Sequence, residues 1–136
     1  MADYVASARS NYFRVKDVDA FQKWLEENHL GHYESQDEPG RFMIFPDDGG
    51  HGDWPTILRE DPDTGEEYEA DLFDELAKHL HDEDVAVLME AGAEKLRYVS
   101  GWAVAVNSKG DRVEIGLSDI YEKAKHLGKN ITEATY

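Results

Sequence analysis

The side chains best placed to do chemistry in this chain are carboxylates. Asp47, Asp48, Asp53, Asp61, Asp63, Glu66, Glu67 and Glu69 crowd one part of the sequence, with Trp54 and Tyr68 among them. Carboxylates at such density can serve acid–base hydrolysis, hold a divalent cation, or project a negative field. Hydrolysis is poorly supported, because so many acidic pairs occur that none stands out, and G-x-S-x-G, P-loop, H-E-x-x-H and G-x-G-x-x-G patterns are all missing. Asp61-Pro-Asp-Thr-Gly-Glu-Glu resembles a calcium loop, but its spacing fails. An EF-hand needs glycine five residues after the first Asp; Gly65 comes four after Asp61, and Glu69 is too early for the bidentate ligand. Gly49-Gly50-His51-Gly52-Asp53 has the glycines of a phosphate cradle, yet Asp47, Asp48 and Asp53 would repel the phosphate.

The histidines do not assemble a metal site either. His29 and His32 straddle the end of a predicted helix. His79 and His81, two apart, would point about 200° away from each other on a helix. With no cysteine, thiolate zinc sites and disulfides are impossible. No catalytic residue, metal or cofactor is therefore expected, and the chain reads as a non-enzyme.

What remains is the field itself. The chain's net charge is −16, and Glu34 to Asp84 supplies −15 of it, eighteen acids against Arg41, Arg59 and Lys78. A run of charge most often only keeps a surface solvated. Salt adaptation would spread the acids over the whole chain, and here they are concentrated. A regional field repels nucleic acid and anionic lipid and favours a basic partner. The expected partner is a basic nucleic-acid-binding protein or nuclease complex, with no direct nucleic acid and no membrane. Duplex DNA carries one negative charge per about 1.7 Å of axis, and a folded acidic surface could occupy the cleft that binds it. The candidate partner-binding residues are the eight carboxylates above, with Trp54 and Tyr68 as anchors, since Trp and Tyr dominate interface energetics.

These residues need elements to hold them. Tyr4 to Val15 predicts an amphipathic strand, and Asp17 caps a helix whose Val18, Phe21, Trp24 and Leu25 recur at helical spacing until Leu30-Gly31 closes it. His32–Gln36 and Arg41–Phe45 predict two short strands, and Trp54–Arg59 a third. Asp61–Gly65 predicts a turn. Ala70 to Leu80 predicts a second helix with Leu72, Phe73, Leu76, Ala77 and Leu80 inward and an acid-rich first turn favourable to the helix dipole. Val85–Glu94, Leu96–Asn107 and Arg112–Leu117 predict three strands, the last two joined by a turn at Asn107-Ser108-Lys109-Gly110. A final helix, Asp119–Leu127, is expected to be capped by Ser118, to turn Ile120, Tyr121, Ala124 and Leu127 inward, and to stop at Gly128. The order predicts a single α+β domain over residues 1–136, a ferredoxin-like βαββαβ core extended by a C-terminal β-hairpin and helix. The first residues lack a signal-peptide layout, and no apolar run approaches the ~18 residues of a membrane span, so a cytoplasmic location in the host cell is expected.

Two segments carry a resemblance. Ala6-Ser-Ala-Arg-Ser-Asn11-Tyr12-Phe13-Arg14-Val15-Lys16-Asp17, followed by Phe21 and Trp24, resembles the opening of small proteins of phages, plasmids and integrated elements, and is similar to the ferredoxin-like domain of plasmid-encoded YubB-type proteins. Gly101 to Gly110, then Val113, Leu117, Ile120-Tyr121 and Gly128-Lys-Asn130-Ile131-Thr132, resembles their closing segment. The acidic middle lies outside both. Combined with the charge, the resemblance implies an inhibitor of host defence of the anti-CRISPR or antirestriction type, acting as a nucleic-acid mimic. The alternative is an interaction or regulatory module of a mobile element, or an acidic immunity protein for a basic toxin.

Overall fold

The computed structural model describes residues 4–47, 52–94 and 98–134. They form a mixed α+β structure in which every strand pairing is antiparallel. The expected opening strand is present as two pieces, β1 (Tyr4–Ser10) and β2 (Phe13–Arg14). The first helix, α1 (Val18–Glu27), leads into β3 (Leu30–Glu34) and β4 (Arg41–Pro46). A hairpin of β5 (Ile57–Glu60) and β6 (Glu67–Ala70) precedes α2 (Leu72–Ala77). Three longer strands follow, β7 (Val85–Glu94), β8 (Tyr98–Asn107) and β9 (Arg112–Gly116), then the short α3 (Asp119–Lys123). Strands β1-β7-β8-β9 form one sheet, β2-β4-β3 a second, and β5-β6 the third.

The break between β1 and β2 has a side-chain cause. Ser10 Oγ accepts a hydrogen bond from the Ile44 amide at 2.8 Å. Asn11 Oδ1 accepts from the Val87 amide at 2.7 Å, and its Nδ2 donates to the Val85 carbonyl at 3.0 Å. Two side chains thus take ladder positions where the backbone changes partner from β7 to β4.

Helix α1 starts as its sequence dictates, with Asp17 Oδ1 accepting from the Ala20 amide at 3.1 Å. Its end differs from expectation. His29 takes the left-handed conformation (φ 56°), while Leu30 and Gly31 already belong to β3. Gly31 has another role: a Cβ there would lie 2.3 Å from Phe45 Cζ, so the missing side chain lets the Phe45 ring lie across its cross-strand neighbour.

The second helix is shorter than Ala70–Leu80 at both ends: Glu67–Ala70 is strand, Asp71 is the cap, and Lys78–Leu80 lie beyond the helix. Glutamate has good helix propensity, but the preceding turn overrides it. Asp61 Oδ1 accepts from the Asp63 amide at 2.8 Å, and Gly65 adopts φ 74°, which folds the chain back along β5. Asp71 then caps α2, accepting from the Phe73 and Asp74 amides at 2.8 and 3.1 Å.

The end of the chain also departs from expectation. Helix α3 is five residues long, followed by a single 3-10 turn, Lys125–Leu127. Ser118 makes no side-chain cap; instead the Asp119 carboxylate accepts from the Gly116 amide at 2.8 Å. Ile120 and Leu127 are 58% and 79% exposed, so the stripe read as inward does not pack inward.

The core gathers Phe13, Phe21, Leu25, Ile44, Ile57, Leu76, Leu80, Leu88 and Val106, all essentially inaccessible to water. It lies between one face of the sheets and the helices. Among the described residues, no helix is long and apolar enough to cross a membrane.

Candidate partner-binding surface

The fold divides the acidic stretch into carboxylates that hold the structure together and carboxylates that do not. Asp84 is buried and grips Arg14: its Oδ2 accepts from the Arg14 amide at 2.6 Å and its Oδ1 from Arg14 Nη2 at 2.7 Å. Those hydrogen bonds from Arg14 hold the Asp84 carboxyl below the usual aspartate range against the opposing effect of burial. Glu75 Oε1 accepts from Trp24 Nε1 at 2.9 Å and pairs with the Arg59 guanidinium. Asp71 and Asp74 receive Arg112 Nη2 at 2.7 and 2.6 Å, and that guanidinium lies over the Phe73 ring at 5.1 Å. Burial pushes the Asp71 carboxyl up, but the Arg112 bond and the Asp74 and Phe73 amides outweigh it and hold the carboxyl low. Asp82 meets Lys16, and Glu38 meets Arg41. Except for the local Glu38–Arg41 pair, these carboxylates tie together segments well separated in sequence, and each meets a base of the same molecule.

The second population is densest on the β5–β6 hairpin. Glu34, Asp37, Asp47, Asp53 and Glu83, also without an ion pair among the described residues, are spread over other parts of the chain. Asp61, Asp63, Glu66, Glu67 and Glu69 make no ion pair among the described residues. The register opposes Leu58 to Glu69 and Glu60 to Glu67, so these four share one face of the hairpin. Leu58 is 55% exposed and all three glutamates are exposed, which puts that face toward solvent. Glu60 directly across from Glu67 is a like-charge pair that costs stability. The opposite face carries Ile57, Ala70, Arg59 and Tyr68; Ile57 is buried in the core, while Tyr68, further out, is 53% exposed.

The hairpin's base is tied down. Arg59 reaches Glu75 on α2, and its Nη1 donates to Asn28 Oδ1 at 3.2 Å. Asn28 in turn donates to the Trp24 carbonyl at 2.7 Å. Its tip is braced by the Asp61 turn and by the Thr64 hydroxyl, which accepts from the Glu66 amide at 3.2 Å. Four-residue strands plus the turn extend about 20 Å. Glu60, Asp61, Asp63, Glu66, Glu67 and Glu69 over that length approach one charge per ~3.4 Å, the spacing along a single nucleic-acid strand.

The other predicted residues fall around this arm unevenly. Asp53 and Trp54 share a groove of about 540 Å³ with Leu58 and Arg59 of β5 and with Asn28 and His29 at the end of α1. Trp54 is partly buried, its Nε1 donating to the Met89 carbonyl at 3.2 Å and its amide to Glu90 Oε1 at 2.9 Å. It packs against the core and holds the loop on the sheet. Asp47 lies apart, at the end of β4, its amide donating to the His29 carbonyl at 3.0 Å. Asp48 lies outside the described residues. Hence the structure gathers Asp53, Asp61, Asp63, Glu66, Glu67, Tyr68 and Glu69 about one hairpin, with Trp54 beneath and Asp47 separate.

No family model, curated protein or solved structure matches this chain. The surface is therefore read from its own chemistry. Among the described residues, no group of three or more His, Asp or Glu is arranged to hold a metal ion. His79 is packed against the rings of Phe21 and Trp24, at 5.8 and 5.1 Å, and burial pushes its imidazole below the ordinary range. Two features escaped the sequence reading. Glu60 and Leu58 belong to the outer face, a membership visible only in the alternation of Ile57-Leu58-Arg59-Glu60 once β6 is known to pair with it. The roles of Arg14, Arg59 and Arg112 as internal neutralisers left no local signal.

Proposed function

We propose that this protein is a non-enzymatic inhibitor of a host defence nuclease complex, of the anti-CRISPR or antirestriction type. Its β5–β6 hairpin enters a Lys/Arg-lined channel in place of nucleic acid. One observation carries the reading. Glu38, Asp71, Asp74, Glu75, Asp82 and Asp84 are paired with arginine or lysine and five other described acids of the stretch lie scattered, whereas the hairpin concentrates Glu60, Asp61, Asp63, Glu66, Glu67 and Glu69 with no ion pair among the described residues. Surface charge kept only for solubility has no need of a braced arm, nor of Glu60 set against Glu67. Binding by such an arm releases ions from the basic channel and needs no base-specific contact. Leu58 and Tyr68 supply apolar contact beside the carboxylates.

The fold proposal accompanies it. Followed across the Asn11-Tyr12 break, the pairings run β7, β1/β2, β4, β3. With α1 before β3 and α2 before β7, that order supports a ferredoxin-like βαββαβ unit, with β5–β6 as an insertion and β8–β9 as an extension. This supports kinship with the ferredoxin-like proteins of mobile elements that the opening segment resembles.

The test is competition. Complexes captured from the native host are assayed for nucleic-acid binding with and without the protein. Displacement of nucleic acid, overcome by adding more of it, is the expected result. Undiminished nucleic-acid binding in a saturated complex would overturn the mimicry.

A further inference from the structure

The four-stranded sheet has one face packed on the core, and among the described residues the larger side chains of its other face are exposed. Ala86, Leu88, Val104 and Val106 point inward. The alternate positions face out, and the register aligns them: Val87 with Ala105, Met89 with Ala103, Ala91 with Gly101, Ala103 with Ile115, and Ala105 with Val113. An antiparallel sheet with one wetted face normally alternates apolar-in with polar-out; strands apolar on both sides are strands buried on both sides. In a chain that is 32% charged, the outward positions of β7, β8 and β9 just named carry no charge at all. Met89, Val113 and Ile115 are 55%, 71% and 62% exposed, as a sheet face awaiting a cover would be. A groove of about 470 Å³ crosses it, with Ala91, Gly101 and Ala103 set between the larger Met89, Ile115 and Leu117.

We infer that a second copy of this chain covers this face, the two sheets stacking about a twofold axis. Three arguments select that occupant. Strand spacing and rise give the four-stranded face a planar footprint of roughly 500 Å² before side-chain relief, which approaches the ~800 Å² per partner of a stable interface. Two copies each bearing −16 repel unless they meet where charge is sparse, and the charged residues lining this groove are Arg9 and the buried Glu90. A small-residue trough beside large ridges is self-complementary, as a twofold interface requires: Ile115 and Met89 of one copy fill the alanine–glycine trough of the other. Buried Ile57 and the Arg59–Glu75 tie fix the acidic hairpin to the helix-and-core side, so its carboxylates stay clear of the contact.

Sedimentation velocity of the full chain over a concentration series tests this. A species of twice the 15.5 kDa chain mass is expected at micromolar concentration. The double substitution V113K/I115K should weaken the dimer at least about a hundredfold, by burying like charges across the axis. Because both positions are more than half exposed, its circular dichroism should match that of the wild type, and so should its urea midpoint at concentrations too low for the wild type to dimerise. A wild type that stays at the single-chain mass throughout, or a folded V113K/I115K that dimerises as tightly as wild type, would overturn the inference.

Discussion

Replacing Asp84 with alanine removes the carboxylate at the point where β2 meets the segment leading into β7. The loss can be worked from the contacts. Asp84 Oδ2 takes the Arg14 amide at 2.6 Å, and Oδ1 takes Nη2 at 2.7 Å. The Arg14 side chain is 39% exposed and regains water when the carboxylate leaves, so it adds little. The main-chain amide loses a charged acceptor, worth about 2 kcal/mol. With a urea m-value of about 1.5 kcal/mol/M, the midpoint should fall by about 1.3 M, while Asp84→Asn, which keeps a neutral acceptor, should lose about half as much. The pH dependence has a definite sign. Because the folded carboxyl titrates below its unfolded value near 3.9, its contribution is complete above that value and is lost as pH falls through the folded pKa. The gap between wild type and Asp84→Ala should therefore be constant from pH 5 to 7, as an approximate range, and close below about pH 4. Equal urea midpoints for the two proteins at pH 7, at equal m, would refute the assignment of Asp84 as a structural clamp.

Other consequences follow from the packing. Leu88→Ala, at a fully buried position facing Val104, should cost about 2–5 kcal/mol in chemical denaturation through lost burial and the cavity it leaves. Gly31→Ala forces the Phe45 ring aside, and a loss of about 1–3 kcal/mol is expected by the same measurement. His79 titrates below its unfolded value near 6.5, so between the two the unfolded chain binds more protons and stability rises with pH. Urea midpoints of wild type should climb from mildly acidic pH to neutrality, and His79→Gln should flatten that slope.

Much of the frame was readable from residue order. The β-branched and apolar run of Val85–Glu94, the strand at Arg112–Gly116 and the Asp17-capped repeat of Phe21, Trp24 and Leu25 are local patterns, and each produced an element of the type expected. Strand β6 was hidden because Glu66, Glu67 and Glu69 suit a helix as intrinsic formers, and only the Gly65 turn and pairing with β5 commit them to a strand. The break at Asn11 was equally hidden, since the Val85 and Val87 groups its side chain satisfies are supplied from far along the chain. The same distance explains the acids. That the stretch was acidic was plain, but which carboxylates are consumed depends on Arg14 meeting Asp84 and Arg112 meeting Asp74, 70 and 38 residues apart. The exposure of Ile120 and Leu127 shows the converse failure: a helical apolar repeat does not supply the surface it would pack on.

The claim that the hairpin is the business end of the molecule is tested most directly by titrating a captured nuclease complex with wild type and E66Q/E67Q/E69Q across a range of salt. These three positions are exposed and unpaired, so the variant should fold as stably as wild type, or slightly more so with the Glu60–Glu67 repulsion relieved. At about 0.7 kcal/mol per lost charge pair, affinity at low salt should drop roughly 30-fold, and the salt dependence of the remaining binding should be shallower than that of wild type. Wild-type affinity that is flat across salt, or a variant that binds as tightly as wild type, would contradict the account.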